Sequence, residues 1–299
     1  MSLVLADWAQ ALRDLGDLKR VRHAAIEGSV ADDAFLRSWA RLVEGEPVAD
    51  VAESEVAAAL AAARLGGIDV PVLVRGGLAP QEAFAVVGAA AADVSAGLPG
   101  AWAPVPGPLP AEGAPPAFAR ALVRQPRAGA TYPGRPRVLV EPPESHGDHC
   151  FTTGVYAALL APLVGAPPAD AYLLGLAHHL HNAVLPDSGY SGEVFLGDAL
   201  DHVLATLTGA ALQELPEPLR GQVAALLPAR DDAETPLGRA FHAADVLDRV
   251  LQVHHHARAA AFTADQALVD LDIVHPGPVQ DYQLDVLAGA GLLPQRVRA

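Results

Sequence analysis

Apolar side chains recur at intervals of three and four residues along most of the chain, the period of a helix with one buried face. Leu3, Trp8, Leu12 and Leu15 mark a first such stretch, and Phe35, Trp39, Leu42 and Val43 a second. Gly16, Gly28, Gly45 and Pro47 punctuate them. Residues 3–65 therefore read as helices, with another expected from about 80 to 96, after the Gly66-Gly67 and Gly76-Gly77 breaks. Between these, Val70-Pro71-Val72-Leu73-Val74 fits a short strand, which Pro71 would confine to a sheet edge.

From residue 97 to 143 the periodicity gives way to proline and glycine, with one short helix expected near 116–125. Helical spacing then returns. Helices are expected over about 149–163, 169–185, 197–213, 216–227, 237–262 and 278–292. The Pro167-Pro168 pair opens the second of these and Pro186 closes it. The expected fold class is all-α. The chain divides into an N-terminal helical region (1–97), a Pro/Gly-rich connecting segment (98–139) and a helical domain with a C-terminal helix (140–299).

Half of the 299 residues are hydrophobic (51%) and 18% are charged, enough apolar surface for a sizeable core. No apolar run reaches the length of a membrane span, and Met1-Ser2-Leu3-Val4-Leu5-Ala6-Asp7 shows no basic leader, so a cytoplasmic protein is expected. Cys150 is the single cysteine, which excludes an intrachain disulfide and any site of several thiolates. A net charge of −15 argues against a nucleic-acid backbone as partner. Residues 113–140 depart from that balance. They hold Arg120, Arg124, Arg127, Arg135 and Arg137 and no acidic residue, so one or two of these guanidinium groups suit an anionic ligand.

Ten of the twelve histidines lie between residues 146 and 256. Histidine nitrogen and aspartate oxygen are the usual ligands of catalytic divalent metals. Three segments concentrate them: Glu144-Ser145-His146-Gly147-Asp148-His149-Cys150, Gly175-Leu176-Ala177-His178-His179-Leu180-His181-Asn182 and Phe241-His242-Ala243-Ala244-Asp245-Val246-Leu247-Asp248-Arg249. His146 stands three residues before His149, and His181 one helical turn after His178, so each can face the same pocket as its partner. The residues alone also allow plainer roles. Asp245 can pair with Arg249 at i,i+4, and Asp187 suits a turn in Pro186-Asp187-Ser188-Gly189. His254, His255 and His256 point in three directions on a helix and fit a solvated face. There is no P-loop, no glycine-rich dinucleotide turn and no His-Glu-x-x-His.

In their order the three segments resemble the HD-domain superfamily of metal-dependent phosphohydrolases. That pattern has a histidine at a helix start, a Gly-Leu-Leu-His-Asp helix and an Ala-Asp pair in a later helix. The resemblance covers about residues 137–260 and implies an HD-type helical bundle. It implies that His149, His178, His179 and Asp245 hold one divalent metal ion, whether Mn, Co, Mg, Fe or Zn. The position of the family's defining aspartate holds His179, an imidazole that can ligate but carries no negative charge. Aligning His181-Asn182 there instead is the alternative, but Gly175 keeps its spacing with His178-His179. The resemblance further implies that Asp187 activates water, with Glu193 as second candidate, and that Asn182 stands where a glutamate is common. Arg135 or Arg137 matches a phosphate-clamping arginine in placement; Arg137, His181, Asn182 and His146 are the candidate substrate contacts.

The expected activity is hydrolysis of a small phosphate ester or nucleotide, by a chain with no membrane partner and with room to form a homo-oligomer. Two alternatives stand beside it. One is a di-iron HD-fold oxygenase, with His202 and His242 serving a second metal. The other is a non-catalytic ligand-binding or interaction module in which His179 marks a lost active site.

Overall fold

The computed structural model describes residues 2–98, 113–135, 137–138, 141–261, 263, 274 and 280–290. Residues 99–112, with Pro104, Pro106, Pro108 and Pro110 of the connecting segment, lie outside the described residues, as does Pro136.

The chain is all-α. In order, the helices are α1 (Ser2–Gly16), α2 (Val30–Val43), α3 (Val48–Leu65), α4 (Val70–Arg75), α5 (Pro80–Ser95), α6 (Ala117–Leu122), α7 (His146–Val164), α8 (Pro168–Ala177), α9 (Gly189–Leu196), α10 (Leu200–Leu212), α11 (Leu219–Leu226), α12 (Pro236–Ala260) and α13 (Gln280–Gly289). Short 3₁₀ turns intervene, among them Asp17–Lys19 and Leu180–Ala183. Among the described residues the only β pairing is two isolated antiparallel bridges, Pro126 with Ser145 and Ala130 with Val138. No helix of the described residues is long and apolar enough to cross a membrane.

Two compact units are distinguishable, residues 1–251 and 252–299. The second holds the last turns of α12 together with α13; in it Gln252 Nε2 lies 3.1 Å from His256 Nε2. In the first, helices from before and after the Pro/Gly-rich segment share one apolar core, from Trp8, Phe35 and Trp39 to Phe118, Tyr156, Tyr172 and Ala244. Trp39 meets Phe118 edge-on at 4.9 Å between ring centroids. The buried hydroxyl ends of the tyrosines are satisfied, Tyr156 Oη donating to Leu12 O and Tyr172 Oη lying 2.8 Å from Ser38 Oγ.

The run 70–74, expected as an edge strand, is instead the start of α4. Asp69 caps it by accepting from Val72 N at 2.8 Å, and Pro71 falls in the first turn, where its missing N–H costs nothing. Local capping overrides the β preference of valine there. The helix expected over 169–185 is also shorter: α8 stops at Ala177, and His178-His179 form the turn before the 3₁₀ segment. His178 Nδ1 donates to Gly175 O at 2.7 Å, closing one of the carbonyls that a helix end leaves open.

α7 is the central helix, with every residue from His146 to Ala161 buried. Its start is tied to that of α2 by two capping boxes that exchange partners. Ser29 and Asp32 cap α2, and Ser145 and Asp148 cap α7. Each serine also donates to the other helix's aspartate, Ser29 Oγ to Asp148 Oδ1 and Ser145 Oγ to Asp32 Oδ1 at 2.5 Å. α7 and α8 touch at backbone distance, because a Cβ on Gly175 would collide with Gly154 Cα and N.

Two predictions follow from these packings. Gly175→Ala must push α8 off α7, so it is expected to lower stability by about 1–3 kcal/mol, read as a lower urea midpoint with unchanged far-UV dichroism. A midpoint equal to the parent's would show that the helices absorb a methyl group there. The Asp148 carboxyl is pushed up to about 7, chiefly by burial and by the neighbouring Asp32. It thus keeps a proton that the unfolded chain, with an ordinary carboxylate pKa near ~3.9, has released. Its contribution to stability is complete below that value and is lost as pH rises to about 7. Asp148→Asn cannot ionise and is expected to gain on the parent in urea midpoint between about pH 5 and about pH 8; parallel midpoints across that range would contradict the shift.

Candidate metal centre

His149 lies on the first turn of α7, aimed by the capping box just before it. Its Nδ1 donates to Asp248 Oδ2 at 2.7 Å, so its Nε2 is the nitrogen left to bind. His178, at the end of α8, has Nδ1 committed to Gly175 O. Its Nε2 faces His149 Nε2 at 3.1 Å. Two imidazole lone pairs at that separation repel unless a cation, a proton or a metal ion, lies between them. Bonds of about 2.0–2.1 Å at angles between square and tetrahedral place two nitrogens about 2.8–3.4 Å apart, so the spacing fits a shared ion.

His149, His178 and His179 each offer a ring nitrogen within 4.8 Å of the other two. Asp245, on α12, adds an oxygen 3.3 Å from His149 Nε2. Burial opposes ionisation of Asp245, but the close approach of the His149 and His178 rings and of Arg249 outweighs it and holds the carboxyl well below its usual range. Asp245 also makes the i,i+4 pair with Arg249, at 2.8 Å. Burial first, and the like-charged neighbours second, push His178 and His179 far below the ordinary imidazole value, so both are neutral and able to ligate.

The orienting carboxylate Asp248 is buried and meets the ammonium of Lys19, which also bonds Glu144 Oε1 at 2.6 Å. Burial favours a neutral lysine, yet Asp248 and Glu144 overcome it and raise its pKa. Glu144, His149 and Asp248 offer a second set of metal-type donors. Lys19 already supplies the cation there, so this set supports the first site and is not a second one. A carboxylate bonded to the far nitrogen of a ligating histidine fixes its tautomer and raises its basicity.

The remaining candidates distribute around this pair. His146 is fully buried; Nδ1 donates to Gln125 O at 3.0 Å, while Nε2 has no hydrogen-bond partner and faces Asp187 Oδ2 at 3.7 Å. Burial and Arg127 push its pKa down to about 3. Asp187 accepts from Ala128 N and Gly189 N, at 2.9 and 2.8 Å. Burial opposes its ionisation, but these two bonds and Arg127 prevail and lower its pKa. His181 is buried with Nδ1 unpartnered, and burial and Arg230 push its pKa to about 4. Because α8 breaks before it, His181 reaches the cluster across a turn, its ring 5.6 Å from that of His179. Asn182 Oδ1 accepts from His179 Nδ1 at 2.8 Å.

Arg137 is exposed and bonds Ser188 O at 3.3 Å, away from the histidines. Glu193 is exposed on α9, and His202 is exposed on α10. Among the described residues neither His202 nor His242 joins a group of metal-type donors. Lys19, Glu144, Asp248, Arg127 and Arg230 stand at the centre although the sequence analysis assigns none of them a place in it. Arg127 Nη1 bonds His179 Nε2 at 2.8 Å, and Arg230 Nη1 bonds His178 O at 3.3 Å. The acid-free arginine segment was the available signal for Arg127; for Lys19, the chain's one lysine, there was none in its surroundings.

No family model, no curated protein and no solved structure matches this chain.

Replacing Lys19 tests the support beneath His149. Lys19→Met leaves Asp248 buried without its cation and is expected to cost about 3–5 kcal/mol in urea denaturation. Adding Asp248→Asn removes the stranded charge and should recover much of that loss. A single variant as stable as the parent would show that Asp248 does not depend on Lys19.

Proposed function

We propose that the chain is a divalent-metal-dependent phosphohydrolase of the HD type, acting on a small phosphate ester. One observation carries this: the Nε2 atoms of His149 and His178 face each other at 3.1 Å, each fixed by a hydrogen bond on its other nitrogen. His149, His178 and Asp245 would hold the ion, with His179 within reach as a fourth donor. Such an ion polarises a phosphate oxygen and lowers the pKa of a water.

The chain's own groups supply the rest. His146 Nε2 and Asp187 Oδ2, two acceptors 3.7 Å apart, suit a water that donates a proton to each. Both have lowered pKa values, so they orient that water better than they deprotonate it. Arg127 and Arg230 border the cluster and bring positive charge to a phosphate. The anionic-ligand role expected of Arg137 passes to Arg127 on this reading, since Arg137 is exposed and turned to Ser188.

Among the described residues no observation favours a di-iron centre, because neither His202 nor His242 joins the cluster. A non-catalytic module has one: two prospective ligands are already bonded to cations, His179 to Arg127 and Asp245 to Arg249.

Elemental analysis and hydrolysis assays decide between the readings. Protein stripped with chelator and supplied with Mn, Co, Mg, Fe or Zn is expected to retain one ion per chain and to hydrolyse members of a phosphate-ester panel. His178→Ala should retain no ion and show no hydrolysis. Asp248→Asn should weaken metal binding about 10- to 100-fold while leaving the ligands in place. Absence of metal uptake and of hydrolysis in the parent would overturn the proposal in favour of the non-catalytic module.

A further inference from the structure

Arginine can only donate, and this settles the hydrogen-bond chain through His179. Arg127 Nη1 donates to His179 Nε2 at 2.8 Å. His179 Nδ1 must then carry the ring proton, which it gives to Asn182 Oδ1 at 2.8 Å, and Asn182 Nδ2 donates onward to Leu185 O at 3.1 Å. The one lone pair of His179 is therefore covered by a guanidinium. A metal ion and Arg127 cannot share that nitrogen.

Arg127 itself is unusual in its pairing. It is half-buried, and among the described residues no carboxylate oxygen lies within 4.0 Å of its guanidinium; its hydrogen bond goes to a neutral ring, and Asp187 acts on it only from further off. Its backbone is held firmly, Arg127 N donating to Glu144 O at 2.8 Å beside the Pro126–Ser145 bridge. A rotation of the side chain would leave that base in place. Around His179, the buried His146 Nε2 and His181 Nδ1 lack hydrogen-bond partners and so leave two positions open to a polar ligand.

We propose that a small oxyanion such as phosphate regulates metal coordination through Arg127. Without the anion, Arg127 caps His179 and the ion rests on His149, His178 and Asp245. An anion offers the guanidinium a charged partner, which binds it more strongly than a neutral imidazole does. Arg127 turns to the anion, and the freed His179 Nε2 joins the ion. Anion and metal then strengthen each other's binding reciprocally. This inference rests on the metal-centre reading given above.

Cobalt(II) titration of the full chain, followed by calorimetry and by the visible cobalt absorption, tests it with inorganic phosphate against chloride at equal ionic strength. In the parent, phosphate is expected to tighten cobalt binding about tenfold and to shift the absorption bands as a third imidazole enters. His179→Ala should show neither the phosphate-induced tightening nor the band shift. Arg127→Gln removes the cap, so it should show the shifted bands already in chloride and little further change with phosphate. His179→Ala weakened equally in both salts would make His179 a permanent ligand and overturn the coupling. A His179→Ala that matches the parent in both salts would overturn it too. A parent that binds no cobalt in either salt would instead remove the metal centre, and the coupling with it. His179→Asn repeats the test should the alanine variant lose its helical dichroism.

Discussion

The buried chain Lys19–Asp248–His149 is the constraint on which the rest of the centre depends. A carboxylate and an ammonium taken out of water each lose several kcal/mol of hydration, which is recovered only if both stay paired in good geometry. Lys19 and Asp248 are both under 5% exposed, and each has a further partner, Glu144 and His149 respectively. Neither can move without stranding the other. The direction of His149 Nε2, and so the place where an ion can sit, is inherited from this arrangement. It also gives the N-terminal region a task beyond support: the 3₁₀ turn after α1 carries the cation that keeps Asp248 ionised.

The exchange of caps between α2 and α7 works at the other side of the same histidine. A capping box fixes one helix start. Two boxes that trade hydroxyl donors fix two starts relative to each other, because each serine cannot rotate without releasing a buried carboxylate. Gly147 is what permits the approach, since a Cβ there would press on Val123 and on Asp32 Oδ1. The first turn of α7 therefore has little freedom, and His149 is carried on it. Precision at the metal position comes from polar contacts outside the cluster, in keeping with how ligating residues are held elsewhere.

The all-α class was legible from the chain, and so were the three segments that bring His149, His178 and Asp245 near one another, for a physical reason. Helical periodicity and helix-start signals are local, and the ligand residue types are rare in apolar surroundings. Where local cues competed, the reading slipped. Valines at 70–74 suggested a strand until the Asp69 cap is considered, and Pro186 suggested a helix that His178-His179 in fact interrupt. Lys19 and Asp248 are separated by more than two hundred residues, and no periodic pattern links them. Arg127 was visible only as one of five arginines; which of them turns inward is decided by the Pro126–Ser145 bridge, a long-range pairing in a stretch without repeats. Arg137 has the same side chain but is exposed and bonds Ser188 O.

The imidazole of His179 does more than offer one nitrogen donor. With an aspartate in its place, Arg127 would face an anion, and the pair would form a salt bridge competing with any metal throughout. An imidazole leaves the same guanidinium weakly held, because a neutral acceptor offers about half the attraction of a charged one. The local balance also becomes more positive: Arg127 and Arg230 approach the histidines, while Asp245 is partly neutralised by Arg249. A cluster so composed would attract a cation less and an anion more. On the proposed reading, anion affinity then compensates for the missing ligand charge, so the substrate itself completes the electrostatic environment that a carboxylate would otherwise provide.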